Sequence, residues 1–188
     1  VALVYSSDAH YSMPKGANLL NIPSIVLSVD DETRQINLKE MEANLAQAKA
    51  DGINHFIMVM NMSTTMFGSV DNVNYYTEAL EELDCEYKLH IDGAFGGFYY
   101  PFTQGETSLS FANPKISSVT LDAHKMAQAP YGTGIFLAKK GLINYANTEQ
   151  ASYVAGEDCT LIGSRSGANA VSVWMILTKN GPFGWQEK

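Results

Sequence analysis

The sequence contains few cysteines and few basic residues. Its two cysteines, Cys85 and Cys159, have neither the spacing of a metal site nor the pattern of a disulfide framework. We therefore expect a reducing, cytoplasmic setting. Lys and Arg total 12 against 20 Asp and Glu, which gives a formal net charge of −8. Because nucleic-acid phosphates are bound by clustered Lys and Arg, we expect no nucleic-acid partner.

Long apolar runs are also absent. The stretch at residues 53–60 is much shorter than the roughly 20 apolar residues that a membrane-spanning helix needs, and Asn54 and His55 interrupt it. We interpret this stretch as a buried strand of the core, with His55 as a structural residue within it, and expect no membrane association. With 46% hydrophobic residues, the chain is able to form one sizeable core.

Strand-like and helix-like segments alternate along the chain. This alternation favours a single α/β domain with a largely parallel sheet. The predicted strands are residues 2–6, 25–29, 53–60, 87–92 and 116–121, with a further strand at 134–138 that is a candidate for antiparallel pairing. The predicted helices are a short one within residues 8–20, two longer ones starting near 37 and 71, and a last one at 168–178.

Short polar side chains mark the ends of these helices. Asn37 is a candidate N-cap with Glu40 as its capping-box partner, and Gly52 is expected to end that helix. Asp71 is the predicted cap of the next helix.

Polar residues follow four of the predicted strands, where ligands gather in open α/β sheets. The most informative are Lys125, after the strand at 116–121, and Asp92, at the end of the strand at 87–92. Such a lysine can form a Schiff base with the aldehyde of pyridoxal phosphate, while the acid pairs with the pyridine nitrogen. A solvated lysine and a loop-capping aspartate are the structural alternatives. The pair His90 and Asp92 suggests a metal site only weakly, because no third ligand stands out, and we expect no metal.

Three further groups are candidates for the same site. His10 follows the first strand and would stack on a cofactor ring, although a lone histidine is more often structural. Thr64 and Thr65 lie in a loop of small residues whose hydroxyls would contact the cofactor, unless they only cap a turn. Arg165 would bind a carboxylate or phosphate in a bidentate fork, or form a structural ion pair.

Four segments in order resemble the pyridoxal-phosphate-dependent group II amino-acid decarboxylases of fold type I. They are YSSDAHYS (5–12), HIDGAFGGF (90–98), DAHKM (122–126) and GSRSG (163–167). The similarity is greatest to archaeal-type tyrosine/aspartate decarboxylases, and sphingosine-phosphate lyase is a more distant relative. The resemblance implies an aspartate aminotransferase-like large domain with three layers and a mostly parallel sheet.

The resemblance also implies roles for individual residues. Lys125 corresponds to the Schiff-base lysine, Asp92 to the partner of the pyridine nitrogen and His10 to the ring-stacking histidine. Thr65 matches a threonine that contacts the cofactor, and Asp122 and His124 match positions near its phosphate. Ala94 is small enough to let the ring lie close to the backbone.

The same resemblance sets expectations about the rest of the protein. The family's main phosphate-binding segment would precede Val1, and its small domain would follow Lys188. We therefore expect residues 1–188 to be the central part of the large domain, incomplete at both ends. Because relatives build their active sites across a dimer, a homodimer is expected.

The predicted activity is decarboxylation of an α-amino acid through a Schiff base on Lys125. The returning proton would come from Lys125, from His10 or from a loop tyrosine, for which Tyr153 is the candidate. Two alternatives stay open: an aminotransferase that uses the same lysine and aspartate, and a non-catalytic domain of the same fold. The identity of the amino acid is not predicted.

Overall fold

The computed structural model describes residues 1–104, 107–147 and 156–187. Within these ranges the chain forms six strands and five α-helices. The strands are β1 (Ala2–Ser6), β2 (Ser24–Leu27), β3 (His55–Asn61), β4 (Glu86–Asp92), β5 (Ile116–Asp122) and β6 (Gly134–Ala138). The α-helices are α1 (Ser12–Leu20), α2 (Leu38–Ala50), α3 (Val73–Glu82), α4 (Tyr100–Gln104) and α5 (Gly167–Gln186). Across these same ranges, no helix combines the length and the apolar character that crossing a bilayer requires.

The six strands form one sheet in the order β2-β1-β3-β4-β5-β6. The pairings from β2 through β5 are parallel, and β6 runs antiparallel to β5, as predicted. At the carboxyl edge of the sheet, Asn61 of β3 pairs with Asp92 of β4, which pairs with Thr120 of β5. The side chains that follow these strands therefore start from one edge.

Helices cover both faces of the sheet, which confirms the predicted three-layer α/β architecture. On one face, Val4 of β1 belongs to a cluster with Met41 and Leu45 of α2 and Tyr76 of α3. On the other face, alternate residues of β1 pack with Ala17 of α1. Further along the first face, α5 packs beside β5 and β6, with Val173 and Ile176 of α5 in a cluster with Ala123 and with Leu121, which also contacts the first cluster. Trp185 of α5 lies against Phe98, with the ring centroids 6.2 Å apart.

The start of α2 confirms one half of the predicted capping box. The Asn37 side chain accepts from the Glu40 backbone N–H at 3.2 Å. Glu40 does not return the bond, because the Asn37 N–H already donates to the Ser28 carbonyl at 2.9 Å. Instead, the Glu40 carboxylate accepts from the backbone N–H and the hydroxyl of Ser28. Gly52 follows the helix with φ +88°, a conformation suited to glycine, as predicted.

The predicted cap of α3 was wrong. Asn72 caps this helix by accepting from the Asn74 N–H at 3.1 Å. Asp71 is buried, and its Oδ2 accepts from the backbone N–H of Asn61 at 2.7 Å and from the Asn61 side-chain amide at 2.9 Å. Because these two donors compensate part of its lost hydration, Asp71 faces the end of β3 instead of the helix.

Two other predictions required correction. His55 is exposed at the start of β3, where its partner in the sheet is the exposed Glu86, so it is not a residue of the core. The last helix continues to Gln186, past the predicted end near residue 178. It bends at Gly181, whose φ of 61° is not helical, because Pro182 follows and has no N–H to donate.

The first testable prediction concerns Gly96, which lies against the loop after β3. A Cβ at Gly96 would be 2.2 Å from the Met62 carbonyl oxygen and 2.6 Å from the Ser63 Cβ. We expect Gly96→Ala to lower the free energy of unfolding by at least about 2 kcal/mol, because backbone must move to make room. Urea unfolding of the purified full-length protein measures this change.

Gly16 of α1 provides the matched control. A Cβ at Gly16 meets no atom within 4 Å, so Gly16→Ala should raise the free energy of unfolding by roughly 0.5–1 kcal/mol. Equal effects of the two substitutions would contradict the close approach at Gly96.

The second prediction concerns the buried carboxyl of Asp71. Burial raises its pKa from the ordinary 3.8 to about 6, against the hydrogen bonds from Asn61, and the charge of Asp8 adds to the rise. Between these two pH values the folded protein binds more protons at this site than the unfolded chain. This residue therefore makes the free energy of unfolding fall as the pH rises from 4 to 6, by about 3 kcal/mol in total.

Asp71→Asn should remove this contribution. We expect the difference in unfolding free energy between wild type and Asp71→Asn to change by about 3 kcal/mol between pH 4 and pH 7, in favour of the variant at the higher pH. Urea titrations at several pH values check it. A difference that stays constant with pH would show that Asp71 titrates normally.

Candidate active site

A cleft lies at the carboxyl edge of the sheet, where β1, β3, β4 and β5 end. It contains about 280 Å³ of empty space, part of which is open to solvent. The residues that line it are Asp8, His10, Asn61, Ser63, Thr64, Thr65, Asp92, Ala94, Phe95 and Lys125. Four sequence segments that are far apart along the chain therefore meet at one site, as the positions of the strand ends predict.

Lys125 lies in a tight turn that follows β5. Its backbone N–H donates to the Asp122 carbonyl at 3.0 Å, and its carbonyl accepts from the Gln128 N–H at 3.0 Å. Its side chain is 30% exposed, and Nζ lies 3.0 Å from Asp122 Oδ2. This lysine is thus a half-buried, ion-paired group on the cleft wall, in contrast to a freely solvated surface lysine.

Asp92 is the last residue of β4 and lines the same cleft as Lys125. Its Oδ1 accepts from the Ala94 N–H at 3.1 Å, which is the local bond expected of a loop-initiating aspartate. The bond fixes the direction of the carboxylate, and Ala94 presents only a methyl group beside it. Asp92 therefore has a structural contact and also reaches the cleft.

His10 and Thr65 reach the cleft from the loops after β1 and β3. The His10 Nδ1 lies 2.9 Å from the Ser12 hydroxyl, and its ring packs on Tyr11 with centroids 4.1 Å apart. In the loop after β3, Thr64 is buried and its hydroxyl lies 2.8 Å from that of Ser69. Thr64 thus caps the turn, and the exposed Thr65 is the threonine available to a ligand.

Asp122 and His124 lie behind Lys125. Asp122 Oδ2 is 3.6 Å from His124 Nε2 in addition to its contact with Lys125, so cationic or polar groups offset its negative charge. His124 Nδ1 is buried and has no hydrogen-bond partner among the residues that the structure describes. A buried nitrogen without a partner costs free energy, so a ligand oxygen placed there would be stabilised.

The donor set of the cleft fits pyridoxal phosphate, the cofactor that the sequence resemblance implies. The cleft offers an amine at Lys125, a carboxylate at Asp92 and a flat ring at His10. An aldehyde, a basic ring nitrogen and an aromatic face are the groups that these three side chains would bind. His124, with its unpartnered Nδ1, is not among the residues that line the cleft.

His90 joins β4 to β5 on the strand that carries Asp92. Its Nδ1 lies 2.8 Å from the Ser118 hydroxyl, and its Nε2 lies 3.2 Å from the Thr120 hydroxyl. Burial lowers the pKa of His90, while the charge of Asp92 opposes this change. In the described part of the chain, no group of three or more His, Cys, Asp or Glu residues is arranged to hold a metal ion.

The sequence assigned no role to three residues of the cleft: Asp8, Asn61 and Ser63. Asn61 is the last residue of β3, and its side-chain amide donates to Ser6 Oγ at 3.1 Å and to Asp71. The position of Asn61 at the end of β3 was the sequence signal that would have identified it as a residue of the cleft. Ser63 has φ 70°, and its hydroxyl contacts that of Tyr99, which no sequence pattern indicates.

The two predicted substrate residues are not brought to the cleft by described contacts. Arg165 is half exposed and pairs with Asp158, with Nη2 3.6 Å from Oδ1, which is the structural alternative considered for it. Tyr153 lies outside the described residues. Their roles stay predictions.

The full chain, residues 1–188, matches the family model described as the pyridoxal-dependent decarboxylase conserved domain. It is 49% identical over 188 residues to the tryptophan decarboxylase of Clostridium sporogenes. The aligned region covers 100% of this chain and 45% of that protein. It is 31% identical over 189 residues to the histidine decarboxylase of Vibrio campbellii, with coverage of 99% and 47%. The chain therefore spans less than half the length of these relatives.

Solved structures share its fold. Mouse CSAD superposes with a TM-score of 0.81 at 21% identity, over 100% of this chain and 41% of that one. The sphingosine-1-phosphate lyase of Burkholderia pseudomallei superposes with a TM-score of 0.79 at 22% identity, over 99% and 42%. These similarities confirm the predicted fold class. The match of the family model over residues 1–188 shows that the chain belongs to the pyridoxal-dependent decarboxylase family, whose cofactor is pyridoxal 5'-phosphate.

Proposed function

We propose that the protein to which these residues belong decarboxylates an α-amino acid with pyridoxal 5'-phosphate. The observation that carries this proposal is the placement of Lys125 and Asp92 on the walls of one cleft, from the ends of adjacent strands. The activities for which the relatives are named, tryptophan and histidine decarboxylation, support it.

The bound cofactor supplies an aldehyde for covalent attachment and a ring that accepts the electron pair left when the carboxylate departs. Lys125 Nζ is the amine proposed to bond to that aldehyde as a Schiff base. The Asp92 carboxylate, whose direction is set by the Ala94 N–H, would favour a proton on the ring nitrogen. The negative charge of Asp92 is what makes that protonated nitrogen favourable.

In the net reaction, the bond from the α-carbon to the carboxylate breaks, carbon dioxide leaves, and a proton takes its place. Lys125 and His10 are the proposed carriers of that proton, because both reach the cleft. Asp122 holds Lys125 Nζ at the cleft wall through their 3.0 Å contact. Tyr153 stays a candidate for the proton donor on a loop.

The remaining site residues are proposed to position the cofactor. His124 Nδ1 would bind a phosphate oxygen. Asp122, which contacts both Lys125 and His124, would orient these two side chains. Ala94 leaves room for the ring near the backbone, and the Thr65 hydroxyl contacts the cofactor from the loop after β3. His10 would lie against the ring face.

We propose an aromatic amino acid, with tryptophan as the first choice, as the substrate. The 49% identity to a tryptophan decarboxylase supports this choice. The aromatic wall of the cleft does as well, since Phe95 lines it and packs edge-on against Tyr99 with centroids 6.0 Å apart. Arg165 is the proposed partner of the substrate carboxylate.

We further propose that residues 1–188 form the central part of a large cofactor-binding domain in a cytoplasmic homodimer. The free state of Cys85 and Cys159 is compatible with a reducing compartment. The apolar side chains Val171, Trp174 and Met175 of α5 are more than half exposed, which is typical of surfaces that another protein surface covers.

The third prediction tests the covalent attachment. The full-length protein, incubated with pyridoxal 5'-phosphate and reduced with borohydride, should carry one reduced cofactor (the cofactor mass less water plus two hydrogens) on the peptide that contains Lys125. Lys125→Ala should lose that adduct and all measurable turnover, whereas Lys140→Ala, at an exposed lysine of the same chain, should retain both. Normal turnover by Lys125→Ala would refute the mechanism.

Light scattering on the same preparations should give a dimer mass, and a monomer would contradict the homodimer.

The fourth prediction separates the candidate reactions. With tryptophan, tyrosine and histidine supplied in turn, the full-length enzyme should release carbon dioxide and the matching amine, fastest from tryptophan. An aminotransferase would instead convert the cofactor to pyridoxamine phosphate and release a keto acid. A non-catalytic domain would give neither product and no covalent adduct. Preference for histidine would contradict the proposed substrate but not the proposed reaction.

A further inference from the structure

A buried carboxylate, Asp8, forms part of the cleft wall. Its side chain is 8% exposed, and it lies two residues before His10 in the loop after β1. A carboxylate removed from water needs a compensating charge and hydrogen bonds. The decarboxylation chemistry described above does not use Asp8, so its partner has to be sought elsewhere in the fold.

Arg34 is that partner. Its Nε lies 2.9 Å from Asp8 Oδ2, and its Nη2 lies 2.5 Å from Asp8 Oδ1, so that both carboxylate oxygens accept from one guanidinium fork. The Arg34 side chain is itself only 18% exposed. Such a bidentate contact fixes orientation as well as charge. A third nitrogen, Nη1, lies 3.4 Å from the exposed Asp31.

The backbone of Arg34 has a conformation that arginine rarely adopts. It lies in the turn between β2 and α2, with φ 57°. The turn is closed by the Arg34 N–H, which donates to the Asp30 carbonyl at 2.9 Å, and by the Asp30 N–H, which donates to the Gln35 carbonyl at 2.8 Å. The Asp30 carboxylate accepts from Thr33 as well. These bonds hold Arg34 where its side chain reaches across the end of β1.

The guanidinium also contacts the loop after β3. Arg34 Cζ lies 3.9 Å from the centre of the Phe67 ring, a cation–π distance. Phe67 is two residues from Thr65, which lines the cleft. One side chain therefore joins the loops that follow β1, β2 and β3, and two of these carry proposed cofactor-binding residues.

We propose that Arg34 is a positioning residue of this cleft. It neutralises Asp8 and holds the His10 loop and the Thr65 loop at the separation that the cofactor ring requires. Without Arg34, Asp8 would present an unpaired negative charge to a cleft that takes an anionic cofactor and the carboxylate of an amino acid. The inference rests on the proposed function, because the ligand that the cleft takes is the cofactor named there.

The experiment uses the full-length protein and pyridoxal 5'-phosphate as the probe. The variants are Arg34→Gln, Arg34→Lys and the double variant Asp8→Asn with Arg34→Gln. Lys115→Gln is the matched control, because it breaks an ion pair with Glu81 (2.7 Å) that does not belong to the cleft. The readouts are the cofactor dissociation constant from a spectroscopic titration and the melting temperature of the cofactor-free protein.

Arg34→Gln should weaken cofactor binding at least tenfold, and Lys115→Gln should not change it. The double variant should recover part of the affinity, because the unpaired charge is gone. Arg34→Lys should be intermediate, since an ammonium group cannot bridge both carboxylate oxygens and also stack on Phe67. If Arg34→Gln fails to fold, the cofactor dissociation constant of Arg34→Lys still tests the inference, and an intermediate value is expected.

Wild-type affinity in Arg34→Gln would overturn the inference. So would a lower melting temperature with unchanged affinity, because that result describes a structural ion pair alone. A double variant no better than Arg34→Gln would overturn the charge argument. A wild-type protein that forms no covalent adduct contradicts the proposed function, whereas a wild type that loads no better than Arg34→Gln contradicts only the role of Arg34.

Discussion

The parallel register of β3, β4 and β5 is the constraint on which the site depends. Asn61, Asp92 and Thr120 are neighbours across these strands at the carboxyl edge, so the segments that follow start side by side. A slip of one residue in this pairing would turn Asp92 to the opposite face of the sheet. The bond from the Gly93 N–H to the Thr120 carbonyl, at 2.9 Å, continues the pairing just beyond the strand end. The position of the acid is therefore a property of the sheet.

Close backbone contact next to this edge completes the site. Gly96 lies against the Met62 carbonyl and Ser63, so the loop after β4 packs on the loop after β3 with no side chain between them. The Gly96 N–H donates to the Met62 carbonyl at 3.1 Å. The cleft is thus built from loops that fix one another, while the sheet fixes their origins.

Alternation of strands and helices is a local pattern that can be read from the sequence. It predicted a parallel sheet, and therefore that the carboxyl ends of several strands would meet at one edge. It located Lys125, Asp92, His10 and Thr65, which the structure brings to one cleft. Their chemical roles stay predictions. The contact between Arg34 and Asp8 joins residues 26 apart, and no local pattern encodes it.

Errors arose where the local sequence left more than one arrangement open and tertiary contacts decided between them. Asp71 and Asn72 are both good N-caps, and burial of Asp71 against Asn61 decided between them. The apolar run at residues 53–60 also led to a core position for His55, but this first residue of β3 is exposed. The capping box at Asn37 was half right, because a longer-range bond to Ser28 took the place of the return bond.

The placement of the two tryptophans has a consequence for spectroscopy. Trp174 and Trp185 are both in α5, and Trp185 packs against Phe98 near the start of α4. Intrinsic indole emission from these 188 residues therefore reports chiefly on the surroundings of α5, including its contact with Phe98. A fluorophore placed at the loop after β3 would be needed to observe events inside the cleft directly.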